Sequence, residues 1–367
     1  MEKNNIAAIR IYAFDIPLRA DFNISGSRDG FANNVLVSIE TADGRVGWGE
    51  ASPVSRVTGE TQTTCLAAAK KIKAALAGRD AAKLSSCLAA MHRAVAGNPT
   101  IKSAFDIALF DLAAQHAALP LCEFLGGRAK PLPTDATIFL RPLDRVIESA
   151  RNIAAAGFKT IKLKLGHPSR DDIERVRVVR DAVGTKIKLR ADANQYWSRD
   201  YALQTLKAIA KFHVEFCEQP LPARDRAGLR WLGERSPIPL VADESLFTPR
   251  DARRLAIEKW ADILNIKLCK SGGLHGALPI ARIAAGANTP CMTGCMNESR
   301  LGLTAAAHFA AAMDIVKFYD LDSFLMHTAD WIEGGLQICA GKVLLPRAPG
   351  LGAKPSDRWL AKHKPVR

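Results

Sequence analysis

No run of about 18 apolar residues occurs in this 367-residue sequence, so it offers no helical membrane span. The opening segment, MEKNNIAAIR, lacks the apolar core and small-residue cleavage pattern of a secretory leader. Cysteine is sparse: eight residues are scattered along a long chain rather than packed into a small scaffold. That usage fits reduced thiols and a cytoplasmic location. Basic runs interleaved with aromatics are missing too, and no nucleic-acid-binding signature appears. Lys and Arg nevertheless outnumber Asp and Glu by 51 to 37, for a net charge of +14. The excess reads as a solvated basic surface, with attraction of acidic ligands as its second use. What is present is ample: 48% hydrophobic and 24% charged residues, enough for a large core and two domains.

The first part reads as strands followed by helices. IAAIRIYAFDIPL and NNVLVSIETADGRVGWGEASP are strand-like, with Asp43-Gly44 as the hairpin turn. Residues 61 to 97 have helical spacing, and IKSAFDIALFDLAAQHAALPLCEFLGG continues as an amphipathic helix ended by Gly126-Gly127. Residues 1–128 are therefore expected to form an α+β capping domain. After GGRAKPLP, short apolar strands alternate with helical segments. The strands are TDATIFL, TIKLKLG, IKLRADAN, VEFCEQP, PLVADES, ADILNIKL, TPCMTGCMN and VKFYDLD. Eight such units predict an α/β fold over residues 129–325, a (β/α)7-8 TIM-type barrel rather than an open sheet. Residues 326–367, punctuated by Pro and Gly, are expected to return over the capping domain.

Lysines break the apolar pattern of TIKLKLG. Side chains alternate along a strand, so Lys162 and Lys164 share one face while Ile161, Leu163 and Leu165 share the other. Charged groups recur at the C-terminal ends of the other strands, where barrel active sites lie. They are Asp192 with Asn194, Glu218, Asp243 with Glu244, Lys267, Glu298, and Asp320 with Asp322. Each alone could be a structural ion pair. Together, strands three, four and five supply one carboxylate each, flanked by lysines on strands two and six. Three carboxylates in one mouth repel unless a cation neutralises them. An oxygen-only set suits Mg²⁺, and the absence of thiolate and imidazole argues against zinc. A divalent cation at such a site stabilises the charge that gathers on a carboxylate when its α-proton is removed. Lysines on both sides then suit the transfer of that proton, provided that burial and neighbouring cations lower the pKa of the base.

The segments KTIKLKLG, LRADANQYW, CEQPLP, LVADESLFTPR, ADILNIKLCKSGGL and GCMNESRLG, in this order and spacing, resemble the enolase superfamily. The likeness is to its muconate-lactonizing and dipeptide-epimerase branch, and it covers almost the whole chain. The resemblance implies that Asp192, Glu218 and Asp243 hold Mg²⁺, that Lys164 and Lys267 are paired acid/base residues, and that Lys162 supports them. Asn194 and Glu244 would orient the ligands. Asp320 and Asp322 share a face of the last strand and suit a cationic group. In similar dipeptide epimerases such a pair holds the free α-ammonium of the substrate.

The resemblance thus implies an isomerase, a dipeptide epimerase inverting the α-carbon of the C-terminal residue. A substrate of the L-Ala-D/L-Glu kind is expected, with Arg28 in a cap loop facing its side-chain carboxylate and Glu298 touching substrate. A structural role for Glu298 fits at least as well. Cys291 and Cys295, whose spacing resembles a metal site but which have no His or Cys partner nearby, are read as structural. The alternatives are another enzyme of the superfamily (an N-acylamino-acid racemase, cycloisomerase or dehydratase) or a non-catalytic barrel that binds its ligand. No nucleic-acid or membrane partner is expected, and a homo-oligomer is compatible with the sequence.

Overall fold

In the computed structural model, residues 3–19, 30–166 and 171–366 are described. The chain opens with three antiparallel strands, β1 (Ile6–Pro17), β2 (Phe31–Thr41) and β3 (Val46–Ala51), paired in the order β1-β2-β3. The β2–β3 hairpin turns at Asp43-Gly44, where Gly44 adopts φ +86° and donates its N–H to Thr41 O at 2.9 Å. Helices α1 (Gln62–Leu76), α2 (Leu84–Ala94) and α3 (Pro99–His116) follow. A Thr61/Thr64 capping box starts α1, and Cys65, Ala69, Ile72 and Leu76 form its buried face.

Helix α3 is buried on nearly every side rather than along one stripe. Strand β3 lies so close to it that a Cβ on Gly47 or Gly49 would sit about 2 Å from a carbonyl oxygen, that of Ala108 or Ala104. The helix also stops sooner than its apolar pattern predicts. It ends at His116, and only a short turn, Leu121–Phe124, resumes before Gly126. Pro120 explains the break: it supplies no N–H and disfavours helical geometry in the residue before it.

Eight parallel strands then run in sequence order: β4 (Ala136–Ile138), β5 (Thr160–Lys164), β6 (Lys188–Asp192), β7 (Val214–Glu218), β8 (Leu240–Ala242), β9 (Ile263–Ile266), β10 (Cys291–Thr293) and β11 (Val316–Tyr319). At the seam between the first and last, Leu321 N–H donates to Thr134 Oγ1 at 3.0 Å and Thr137 N–H to Asp322 Oδ2 at 2.6 Å. The architecture is the enolase-like α/β barrel with an α+β cap. Inside the barrel, Phe216, Val241, Ile263 and Met292 form a small apolar cluster. Arg190 lies over the rings of Phe216 and Phe318, at 4.9 and 5.4 Å, and pairs with Asp135 at 2.7 Å. This layer closes the barrel floor. Two residues further along, Asp243 and Asp320 open on the mouth, whereas Asp192, Glu218 and Asn265 stay fully buried and do not line its cavity.

Buried side chains lock the cap to the barrel. Glu50 of β3 accepts hydrogen bonds from Ser299 N–H, Ser299 Oγ and Gly302 N–H, at the start of the helix Arg300–Ala312. Asp106 of α3 accepts from Leu274 N–H and His275 N–H at the start of the helix Leu274–Gly286. The C-terminal stretch pairs Ile332–Gly334 with Ala353–Pro355 and packs Trp359 edge-on against Tyr12 and Phe14 of β1.

His308, fully buried, ties three parts together. Its Nδ1 accepts from Cys122 N–H at 3.1 Å, which leaves Nε2 to donate to Leu351 O at 3.2 Å. Burial lowers its pKa to about 4. The folded protein therefore keeps this ring neutral while the unfolded chain takes up a proton below about pH 6.5. Its contribution is complete above that pH and is lost progressively towards pH 4, by at most about 3 kcal/mol. Unfolding midpoints measured across this range should fall with acid in the wild type and fall less steeply in His308→Gln.

Candidate active site

The mouth of the barrel holds a cavity of about 200 Å³. Lys162, Lys164, Asn194, Asp243, Glu244, Lys267, Asp320 and Asp322 all line it. The lysine face of β5 therefore looks into the mouth, while Ile161, Leu163 and Leu165 pack outward in the main core. In a ring of eight strands, β5 and β9 stand opposite each other, so Lys164 and Lys267 approach the cavity from facing walls.

Every ammonium there has carboxylate partners. Lys162 Nζ lies 3.0 Å from Asp192, 2.7 Å from Glu218 and 2.8 Å from Asp320. Lys164 donates to Asp192 Oδ2 at 2.6 Å, and Lys267 to Asp243 Oδ2 at 2.8 Å. A lysine not anticipated from the sequence, Lys270, reaches Asp243 Oδ1 at 2.5 Å. Asn265, also unanticipated, donates to Glu218 Oε1 at 2.6 Å. Gly294 makes room for this: a Cβ there would fall 2.7 Å from the Asn265 amide and 3.0 Å from Lys267 Cε. Gln219 is the third such residue. Its Oε1 accepts from Asp243 N–H and Ser245 N–H, holding the ends of two strands together. The backbone takes positive φ here at Asn194, Gln195 and Gln219.

The electrostatics follow from burial and pairing. Burial pushes the carboxyls of Asp192 and Asp243 up, but lysines outweigh it and hold both below the usual range: Lys162 and Lys164 for Asp192, Lys267 and Lys270 for Asp243. Glu218 and Glu244 are less well compensated. Burial and neighbouring carboxylates raise them to about 7 and about 8. Burial also pushes Lys267 towards the neutral form, yet Asp243 and Glu218 prevail and its pKa ends well above that of an ordinary lysine. That is opposite to the lowering expected of a base; a cation bound to those same carboxylates would offset their hold on it.

These residues fit a divalent cation. Six buried carboxyls (Asp192, Glu218, Asp243, Glu244, Asp320 and Asp322) meet only four ammonium groups, those of Lys162, Lys164, Lys267 and Lys270. Without a further cation, burial together with this imbalance raises Glu218, Glu244 and Asp322 above the usual carboxylate range. Two oxygens, Asn194 Oδ1 and Glu244 Oε2, are buried without a hydrogen-bond partner, while Glu218 Oε2 faces the Lys162 ammonium at 2.7 Å. Asp192, Glu218 and Asp243 sit side by side on β6, β7 and just beyond β8, and offer oxygen only.

Asp320 and Asp322 form a second acidic patch on the β11 side. Cys295, read from the sequence as structural, lines the cavity beside them, its Sγ 3.9 Å from Asp322 Oδ1. Glu298 does not line the cavity. It follows β10 by several residues, and its carboxylate accepts from Met296 N–H and Cys269 Sγ. Arg28 lies outside the described residues. From the described part of the cap, Val54, Arg56 and Val57 reach the cavity.

Two family models match the chain: the mandelate racemase/muconate lactonizing enzyme N-terminal domain over residues 8–126, and the enolase C-terminal domain-like model over residues 145–359. The chain is 39% identical over 350 residues to a D-Ala-D/L-Ala epimerase of Cytophaga hutchinsonii, covering 95% of each. It is 36% identical to an L-Ala-D/L-Glu epimerase of Clostridium acetobutylicum, over 95% of this chain and 98% of that one. The crystal structure of the Cytophaga hutchinsonii dipeptide epimerase, complexed with Mg and the dipeptide D-Ala-L-Val, superposes with a TM-score of 0.96 at 38% identity over 99% of both chains.

A divalent cation on these carboxylates should stabilise the fold by mass action. Adding Mg²⁺ to metal-stripped protein is expected to raise the melting temperature by a few degrees at about 100 times Kd. The rise should vanish in Asp243→Asn, and an equal rise in that variant would refute the site.

Proposed function

We infer the reaction of a chain that belongs to the mandelate racemase/muconate lactonizing enzyme family of the enolase superfamily: it is a dipeptide epimerase that uses Mg²⁺. One observation carries the assignment of its residues. Lys164 and Lys267 enter one cavity from opposite walls, with a row of carboxylates between them and the acidic pair Asp320/Asp322 to one side.

Lys164 and Lys267 act as the two acid/base groups on either face of the C-terminal α-carbon. One takes the α-proton and the other delivers a proton to the opposite face, which inverts the centre. Asp320 and Asp322 hold the free ammonium of the dipeptide and thereby fix which α-carbon lies between the lysines. Lys162 supports both lysines by holding Asp192, Glu218 and Asp320 around its ammonium. Asp192, Glu218 and Asp243 hold Mg²⁺, which when bound supplies Lewis-acid stabilisation of charge developing on that carboxylate. Asn194 steadies Asp192, to whose Oδ1 its backbone N–H donates at 3.0 Å, and Glu244, next to Asp243 in the chain, is given the same orienting role.

The substrate we propose carries an acidic C-terminal residue, in the manner of L-Ala-L-Glu. Arg56 supports this reading: it is the one cationic side chain among the described cap residues that line the cavity, flanked by Val54 and Val57. The valines suit the methylene part of a glutamate side chain, and the guanidinium suits its carboxylate. The net charge of +14 favours encounter with such a ligand. We place the enzyme in the cytoplasm. The eight cysteines are free thiols, and no helix among the described residues is long and apolar enough to cross a membrane.

Lys164→Ala and Lys267→Ala should each lose epimerisation by roughly 10³-fold or more. Because the lysines serve opposite faces, each variant is expected to block α-proton exchange from one epimer more severely than from the other. NMR of exchange in D₂O separates the two, and full activity in either variant would refute the two-lysine scheme. Arg56→Met should lower kcat/KM for L-Ala-L-Glu by roughly 10- to 100-fold while sparing L-Ala-L-Met, as loss of one charge-assisted contact implies. An unchanged ratio between the two substrates would remove Arg56 from the specificity site.

A further inference from the structure

Two lysines hold Asp243, and they face in different directions. Lys267 lines the cavity and reaches Oδ2. Lys270, three residues later in the short helix Leu268–Ser271, is walled off, its side chain only 1% exposed and absent from the cavity walls. Its Nζ donates to Asp243 Oδ1 at 2.5 Å, to the Asp243 carbonyl oxygen, and to Asn265 O at 3.1 Å. The ring of Phe247 lies 5.8 Å from the ammonium. A lysine ammonium has three donors, and here protein oxygens engage all of them, two belonging to Asp243 itself. Nothing remains with which Lys270 could bind a substrate, and its side chain is buried from the surface.

Lys267 stands otherwise. To move a proton at the substrate it must leave Asp243, and the carboxylate then needs another group to keep its place. We propose that Lys270 is a positioning residue that clamps Asp243, side chain and backbone together, in the orientation that receives Mg²⁺, and so frees Lys267 to serve the substrate. Asn265 belongs to the same device. It fixes Glu218 Oε1 with its amide while its own carbonyl receives Lys270, so β9 and the turn after it set two of the three carboxylates. The inference rests on the Mg²⁺ reading of the site and adds a division of labour between two neighbouring lysines.

Calorimetric titration of Mg²⁺ into metal-stripped protein, without substrate, tests it. Lys270→Met should weaken Mg²⁺ binding by roughly 10- to 100-fold, the range for groups that orient a metal ligand. Lys267→Met should not weaken it, because that ammonium competes for Oδ2. Folding is checked by circular dichroism. A folded Lys270→Met binding Mg²⁺ within about twofold of wild type, or equal weakening in both variants, would overturn the proposal. Absence of Mg²⁺ binding by the wild type would instead remove the metal reading, and this inference with it. If Lys270→Met does not fold, the double variant Asp243→Asn/Lys270→Met removes the charge together with its partner and should recover the fold. Failure of the double variant to fold would refute the pairing as the purpose of Lys270.

Discussion

The ammonium of Lys162 holds the mouth of the barrel together. It is almost completely buried and touches carboxylates from three strands: Asp192, Glu218 and Asp320. Two of these belong to the proposed metal set and the third to the pair proposed to receive the substrate ammonium. Burial alone would drive Lys162 towards the neutral form, yet these carboxylates keep its pKa well above the ordinary value. Removing one partner from such a buried ion pair costs about 3–5 kcal/mol, because the other charge stays behind without compensation. The metal side and the ammonium side of the site are therefore one electrostatic unit. The two charges of Lys-x-Lys on an inward strand face follow from that requirement.

The surroundings keep this unit in place. Below it, the Arg190–Asp135 pair and the aromatic rings around it fill the barrel. Above it, the cap reaches the mouth through Val54, Arg56 and Val57. Glu50 and Asp106 dock the cap on the first turns of the two helices that follow β9 and β10. These helix starts carry partial positive charge and unpaired N–H groups, so a buried carboxylate satisfies both needs at once. Cap position and barrel-mouth position are coupled by these contacts, as a site built from both domains requires.

Much of this was legible in the sequence, and for a physical reason. A charged residue inside a short apolar strand is costly, so Lys162, Lys164, Asp192, Glu218, Asp243 and Lys267 stand out from their neighbours and imply partners. Eight strand–helix units at near-constant spacing imply the barrel in the same way. Lys270, Asn265, Gln219 and Cys295 stood out less. Their partners lie on other strands, and neither a polar residue in a turn nor an amide in a strand announces its contact. The lysine in KLCKSGG, placed just after a strand that already bears one, was the available signal for Lys270. The end of α3 was missed because its apolar pattern runs past Pro120, and there the backbone constraint prevails over the pattern. Glu298, five residues beyond β10, had outrun the strand whose end it was read as marking.

Deuterium uptake by dipeptides tests the central claim most directly. Purified protein with Mg²⁺ is incubated in D₂O with a mixture of L,L-dipeptides, and mass spectrometry locates any gain of one mass unit. The account predicts a gain confined to the α-carbon of the C-terminal residue and largest for dipeptides ending in Glu or Asp. A gain at the N-terminal residue, or no gain in any dipeptide, would contradict it.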